Sequence, residues 1–395
     1  MHIWRKYRFE YFVGHRWHSI DIYLYGFRIL LIILNLLFGF ATFLQLPRRP
    51  DPFSRWSKPG TTSEGLSWYP TDFLRDVIPI PCHSHNDYWR KVPLFSALYN
   101  GCISVEADVW AFDDELYIGH NTASLTVNRT FQSLYINPLV TILERQNPAT
   151  SFYNASGHGV FDTDSEQSLT LLVDVKTDGA ETWPLVLQQL EPLRQRGWLS
   201  YVENDVVHRR PITVVGTGET PFNVLTSNQT YRDAFFDAPL DQMWEGPRPD
   251  EGEPVQPGVD NMGDSTGGSR TDKLTSSIAR AKPNNSLSLS TVQRRSQGNA
   301  GTSSEDSYTR LNSYYASTSF KEVIGTIWWG KLSNEQMDLI RGQIRGAHHR
   351  GLKARYWDTP TWPTSLRNYI WDVLVQEGAD LLNVDDLEAA RSGVW

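Results

Sequence analysis

The 395 residues, 40% of them hydrophobic and 12% aromatic, describe a folded chain with room for one closed barrel or two ordinary domains, and exclude a disordered one. A net charge of -8 argues against nucleic acid as a partner, which would need a basic face. The only two cysteines, Cys82 and Cys102, exclude a disulfide framework or a cysteine-rich zinc site; one bridge is open to them, but two half-buried free thiols are the expectation.

Residues 1–22 read as an N-terminal tail. Ile29 to Leu46 is an uncharged apolar run, long enough with Tyr23 to Phe27 to predict a transmembrane signal anchor over 23–46, so the membrane is an expected partner. Basic residues flank the run on both sides, and the orientation follows only weakly from them. Sequons at Asn128, Asn154, Asn228 and Asn284 lean towards a lumenal or extracellular catalytic part, as on a glycoprotein, with a mitochondrial or cytosolic placement left open.

After a linker over 47–75, residues 76–395 alternate between two patterns. Apolar runs predict strands at "DVIPIPC", "CISVEADVW", "SLTLLVDVK", "PITVVG", "DAFFDA", "VIGTIWW", "LKARYW" and "ADLLNVD". Helical spacing intervenes at Trp183 to Gln195 and Asn334 to His349. Residues 246–307, rich in Gly, Ser, Asp, Pro and Thr, read as a disordered insertion. Eight strands with helices between them predict an α/β fold, a TIM-type (β/α)8 barrel expected to be monomeric, with reactive groups at the C-terminal ends of its strands.

Polar residues do gather at those ends: His83 and His85, Glu106 and Asp108, Asp174 and Lys176, Asp385 and Asp386. Glu106 and Asp108 are two apart, so both face one side of their strand, and with Asp174 they supply three carboxylates for a divalent cation. Oxygen ligands without cysteine point to Mg2+ or Ca2+. His120, in "ELYIGH", follows a turn that can bring it over the mouth. Opposite His83 or His85 it supplies the second imidazole that general acid and base work at phosphorus requires. Lys176 is placed to hold phosphoryl oxygens, Trp357 to line a pocket wall beside Tyr356 and Asp358, and Asn86 to orient a histidine or contact substrate. Trp328 and Trp329 could line an apolar entry, and Gly216, Gly218 and Glu219 could let a phosphate approach the backbone, a weak pattern.

Taken in order, "CHSHNDY", "GCISVEADVW", "LYIGH", "LLVDVK" and "GADLLNVDD" resemble the motifs of the barrel phosphodiesterase superfamily, which includes glycerophosphodiester phosphodiesterases, sphingomyelinase D and phospholipase C-like enzymes. The arrangement is most similar to the fungal family called altered inheritance of mitochondria protein six. The resemblance implies metal ligation by Glu106, Asp108 and Asp174, catalysis by one histidine of the first strand with His120, and a substrate role for Lys176. Asn121 and "HSH" depart from the glycerophosphodiester pattern. The expected activity is that of a metal-dependent phosphoric diester hydrolase acting on a phospholipid or glycerophosphodiester. A silent, membrane-anchored barrel that binds lipid or protein is the alternative. Hydrolysis and cyclic-phosphate formation use the same groups.

Overall fold

A computed structural model describes residues 26–37, 60, 74–152, 157–247 and 307–393. The chain divides into two units, Met1–Tyr69 and Pro70–Trp395. In the first, residues 26–37 form a helix with exposed side chains, where Asn35 Nδ2 donates to the Leu31 carbonyl one turn earlier at 2.9 Å. The rest of the predicted span lies outside the described residues, and among those described no helix is long and apolar enough to cross a membrane. The predicted insertion likewise falls outside them, apart from 246, 247 and 307.

The second unit is built on eight parallel strands: β1 (Ile80–Ser84), β2 (Cys102–Phe112), β3 (Leu169–Val175), β4 (Ile212–Gly218), β5 (Phe235–Pro239), β6 (Ser313–Ser319), β7 (Lys353–Trp357) and β8 (Leu381–Val384). Each pairs with its neighbour in chain order, and β1 pairs with both β8 and β2, so the sheet closes into a barrel. Closure removes both sheet edges. Helices α1 (Phe95–Tyr99), α2 (Asn137–Gln146), α3 (Gly179–Gln189), α4 (Phe222–Leu225), α5 (Asn334–His349), α6 (Thr364–Gln376) and α7 (Leu387–Arg391) make up the connections and the C-terminal turn. Helix α5 matches its predicted limits because a capping box starts it: Ser333 accepts from the Gln336 amide, while the Gln336 side chain accepts from that of Ser333.

The period of two decides what lies inside. On β2 and β3, Val105, Ala107, Val109, Leu171 and Val173 pack outward into the main core with the helices. Alternate residues point to the axis. Leu172, Val215, Phe235, Tyr315 and Leu381 form a small apolar layer there, joined by Val202 from a short antiparallel sheet (Tyr201–Glu203, Val206–His208, Tyr231–Arg232) beneath the strand N-termini. Above them lies a polar layer. Arg355, only 3% exposed, donates to Ser317 Oγ (3.0 Å) and Asn383 Oδ1 (2.8 Å) and pairs with Asp237 (3.4 Å). Ser317 in turn donates to Asp237 Oδ1 at 2.6 Å.

Two sequence expectations need correction. "VIGTIWW" is not the sixth strand: Val323 ends the short helix Phe320–Val323, and Trp328 and Trp329 are exposed. The true sixth strand, "SYYASTS", turns Ser317 and Ser319 towards the polar interior, so its pattern is not hydrophobic. Cys82 and Cys102 are bridged, with Cα atoms 4.7 Å apart, and are not free thiols.

The bridge closes a loop over a sequence separation of 20, which corresponds to about 3 kcal/mol of unfolded-state entropy. Cys82→Ala is expected to lower the urea unfolding free energy by about that amount, and denatured protein should show no titratable thiol until reduced.

Candidate active site

At the mouth, the pairing of Asp108 with Asp174 across β2 and β3 sets two carboxylates side by side, with Glu106 one layer below. One ligand oxygen from each of the three lies within 4.8 Å of the others. Gly218 makes this possible on the β4 side, since a Cβ there would stand 2.1 Å from Asp174 Oδ1. Gly216 leaves room for the Trp183 ring in the same way. These glycines therefore serve packing, and the Glu219 amide donates to the Val175 carbonyl; no phosphate cradle forms at "VVGTGETP".

Lys176 Nζ lies 2.6 Å from Asp174 Oδ2 and 3.1 Å from Asp108 Oδ2. One ammonium faces three acids, and the nearby Arg355 is already matched by Asp237. The deficit is visible in the groups themselves. Burial, together with Asp174, pushes the Asp108 carboxyl well above the usual range against the pull of Lys176. Burial likewise raises Asp174. Glu106 would also rise on burial, but His85, His83 and Arg355 outweigh this and hold it well below its ordinary value. Asp108 Oδ1 and Asp174 Oδ1 are buried without a hydrogen-bond partner. A hard divalent cation fits this donor set, because it would satisfy both orphaned oxygens and the missing charge.

The two histidines at the end of β1 have different surroundings. His83 is fully buried. Tyr315 donates to Ser104 Oγ (3.0 Å), which leaves Ser104 to donate to His83 Nδ1 (2.6 Å) and puts the ring proton on Nε2, 3.6 Å from Glu106. Burial, helped by Arg355, lowers its pKa to about 4, so it is neutral at physiological pH. His85 stands at the rim, a quarter exposed, its Nδ1 2.8 Å from Asp385 Oδ1. Burial works against its charge, but Glu106 and Asp385 more than offset this and raise it. Its Nε2 is 4.0 Å from Glu106 and 3.3 Å from the Asn86 amide nitrogen.

His120 follows the strand Glu115–Ile118, which folds back antiparallel on the end of β2. Its Nδ1 lies 3.2 Å from the Tyr88 hydroxyl and 3.9 Å from Asp108, and the Trp89 ring packs on it at 4.7 Å. Tyr88 was not anticipated from sequence, yet it joins everything: its hydroxyl is 2.6 Å from Asn86 Oδ1 and 2.7 Å from Asp108 Oδ2. Asn86, in the left-handed region at φ 48°, donates its backbone N–H to Glu106 Oε2 at 2.9 Å. Asp87 only turns the chain, accepting from Ser84, the Leu94 amide and Tyr135. Of the last pair, Asp385 serves His85 while Asp386 caps α7 and pairs with Arg367. Trp357 is two places beyond Arg355 and so on the same inward face, at the mouth.

A family profile described as "AIM6-like phosphodiesterase domain" matches residues 71–237. A homolog of altered inheritance of mitochondria protein 6 from Arthroderma benhamiae is 38% identical over 82% of this chain and 86% of its own. The proteins of that name from Saccharomyces cerevisiae and Eremothecium gossypii are 32% and 34% identical over 80% and 78% of this chain, and 72% and 67% of theirs. The chain belongs to this family. In this member of the altered inheritance of mitochondria protein 6 family, the phosphodiesterase-like fold brings His85, Asp385, Glu106, Asp108, Asp174, Lys176 and His120 to one mouth. It leaves His83 beneath them as part of the packed interior.

The difference between the histidines is measurable by urea denaturation. His83→Gln should cost roughly 1–3 kcal/mol by disrupting a buried hydrogen-bonded ring. His85→Gln, at the rim, should stay within about 1 kcal/mol of the parent.

Proposed function

We propose that the protein is a divalent-metal-dependent phosphoric diester hydrolase or lyase, acting on a phospholipid or glycerophosphodiester, with His85 and His120 as the proton-transfer pair. The observation that carries this reading is the 2.8 Å pairing of His85 with Asp385 beside three carboxylates clustered within 4.8 Å. Glu106, Asp108 and Asp174 would hold Mg2+ or Ca2+, which when bound supplies charge stabilisation at a phosphoryl oxygen.

The chain's own groups have distinct tasks. Asp385 accepts from His85 Nδ1, which fixes the tautomer and leaves Nε2 as the atom that exchanges a proton with the attacking or leaving oxygen. His120, oriented through Nδ1 by Tyr88, exchanges the other. Lys176 offers a cation to a non-bridging oxygen. The Asn86 carboxamide, held by Tyr88, contacts His85 Nε2, and Trp357 forms part of the mouth wall. Since water and an internal substrate hydroxyl would use the same pair, product analysis distinguishes them.

The test uses residues 70–395, which contain the whole closed sheet and its core. Phosphodiesters and phospholipids are assayed with and without chelator, and metal binding is measured by calorimetry. Activity should vanish on chelation and return with Mg2+ or Ca2+. Asp385→Asn should lower kcat by roughly 10²–10⁴-fold with unfolding unchanged. Absence of metal binding, or activity indifferent to chelator, overturns the proposal in favour of a silent binding barrel.

The same reading puts the barrel on a membrane-anchored chain in an oxidising, lumenal or extracellular setting. It is supported by the Cys82–Cys102 bridge, by exposed sequon asparagines at Asn128 and Asn228, and by the apolar run that includes helix 26–37. In a fungal host the chain should show a glycosidase-sensitive mass that shrinks in Asn128→Gln and Asn228→Gln; no shift would place the barrel on the other side.

A further inference from the structure

Single exposed apolar side chains are ordinary, but here four tryptophans of the barrel are exposed on one face. Trp328 is 73% exposed, Trp329 98%, Trp362 78% and Trp89 59%. Trp89 follows β1, Trp328 and Trp329 follow β6, and Trp362 follows β7, so all lie on loops at the strand C-termini, the side of the candidate site. In the sheet these strands run β6, β7, β8, β1, a continuous arc of the rim. A cavity of about 220 Å³ lies in that arc, lined by His85, Asp385, Asp358, Thr361, Arg367 and Trp371.

Two features add to the exposure. Trp329 sits at φ 57°, a left-handed conformation unfavourable for a bulky residue, and among the described residues its side chain is almost fully exposed. Lys91 and Lys331, each two places after an exposed tryptophan, are themselves exposed and form no ion pair among the described residues. The loop 324–333 that carries Trp328 and Trp329 has no carboxylate. Indoles flanked by ammonium groups match the two layers of a phospholipid surface, where the ring sits at headgroup depth and the amine meets phosphate.

We propose that this rim is a docking surface for a phospholipid bilayer, with Trp328, Trp329 and Trp362 entering the headgroup layer and Lys91 and Lys331 at the lipid phosphates. The surface would present the site directly to lipid. It deepens the proposed function by indicating how a lipid substrate is reached, and rests on that reading for the chemistry alone, because docking requires no turnover.

Binding of residues 70–395 to phosphatidylcholine vesicles containing phosphatidylserine is measured by flotation, in chelator so that catalysis plays no part. The parent should float. A variant combining Trp328→Ala and Trp329→Ala should partition about tenfold more weakly, as loss of two inserted rings implies, with unchanged thermal unfolding and unchanged turnover of a soluble phosphodiester. Trp244→Ala is the control: Trp244 is 53% exposed but lies against Gly342 on the flank of α5, and its removal should leave binding as it was. Three outcomes overturn the proposal: a parent that does not float, a double variant that floats equally well, or a parent that is a dimer in solution and becomes monomeric in the double variant, which would seat a second copy on this face. A parent that floats in chelator but cleaves no phosphodiester when supplied with Mg2+ or Ca2+ would overturn the catalytic reading and leave the docking surface standing.

Discussion

Too much negative charge converges on one point. A parallel barrel turns alternate residues of every strand towards one axis, so Glu106, Asp108 and Asp174 cannot avoid each other, and Lys176 offers only one positive charge against them. Much of the surrounding interior can be understood as a response. Tyr88 spans Asp108, Asn86 and His120; the Asn86 backbone donates to Glu106; and the Arg355 and Asp237 pair, neutral in sum, lies below. An isolated acid of this kind would take up a proton, as Asp108 tends to do. Here the neighbours hold the three carboxylates together in spite of it.

The two imidazoles of this segment are set apart by one layer. His83, in β1, and His85, just past its end, are two places apart, yet one is buried and the other stands at the rim. Their different pKa directions follow from that step alone: burial and Arg355 dominate at His83, whereas two carboxylates dominate at His85. The buried imidazole of His83 is hydrogen-bonded through Nδ1 to Ser104, while its Nε2 faces Glu106 at 3.6 Å. Only the rim imidazole has an acid behind it and an approach in front.

The parts of the fold visible in the sequence were those where period and chemistry agreed. Seven strands could be read because outward Val, Leu and Ile alternate with whatever faces the axis, and α5 because its cap residues are local. The sixth strand was hidden by polar residues such as the inward Ser317, which answers to Arg355, its register partner 38 positions later. The carboxylates and His120 were legible as strand-end groups. Tyr88, Asp385 as the partner of His85, and the whole Arg355 layer were not, because each depends on which strands become neighbours. Spacing also could not choose between His83 and His85, since both satisfy the same alternation and only depth separates them. For the cysteines, pairing was a matter of register between β1 and β2, which "DVIPIPC" and "CISVEADVW" do not state.

That bridge encloses more than a turn. The covalent ring from Cys82 to Cys102 contains His83, His85, Asn86, Asp87, Tyr88 and Arg90, everything that the first strand brings to the mouth. Arg90 further ties the ring to the end of β8 through the carbonyls of Val384 and Asp385. When the segment after β1 frays, as connecting segments do, its ends stay stitched to the base of β2, the strand that carries Glu106 and Asp108. The segment that carries His85 and the strand that carries Glu106 and Asp108 are therefore joined covalently at their base, so neither can drift far from the other.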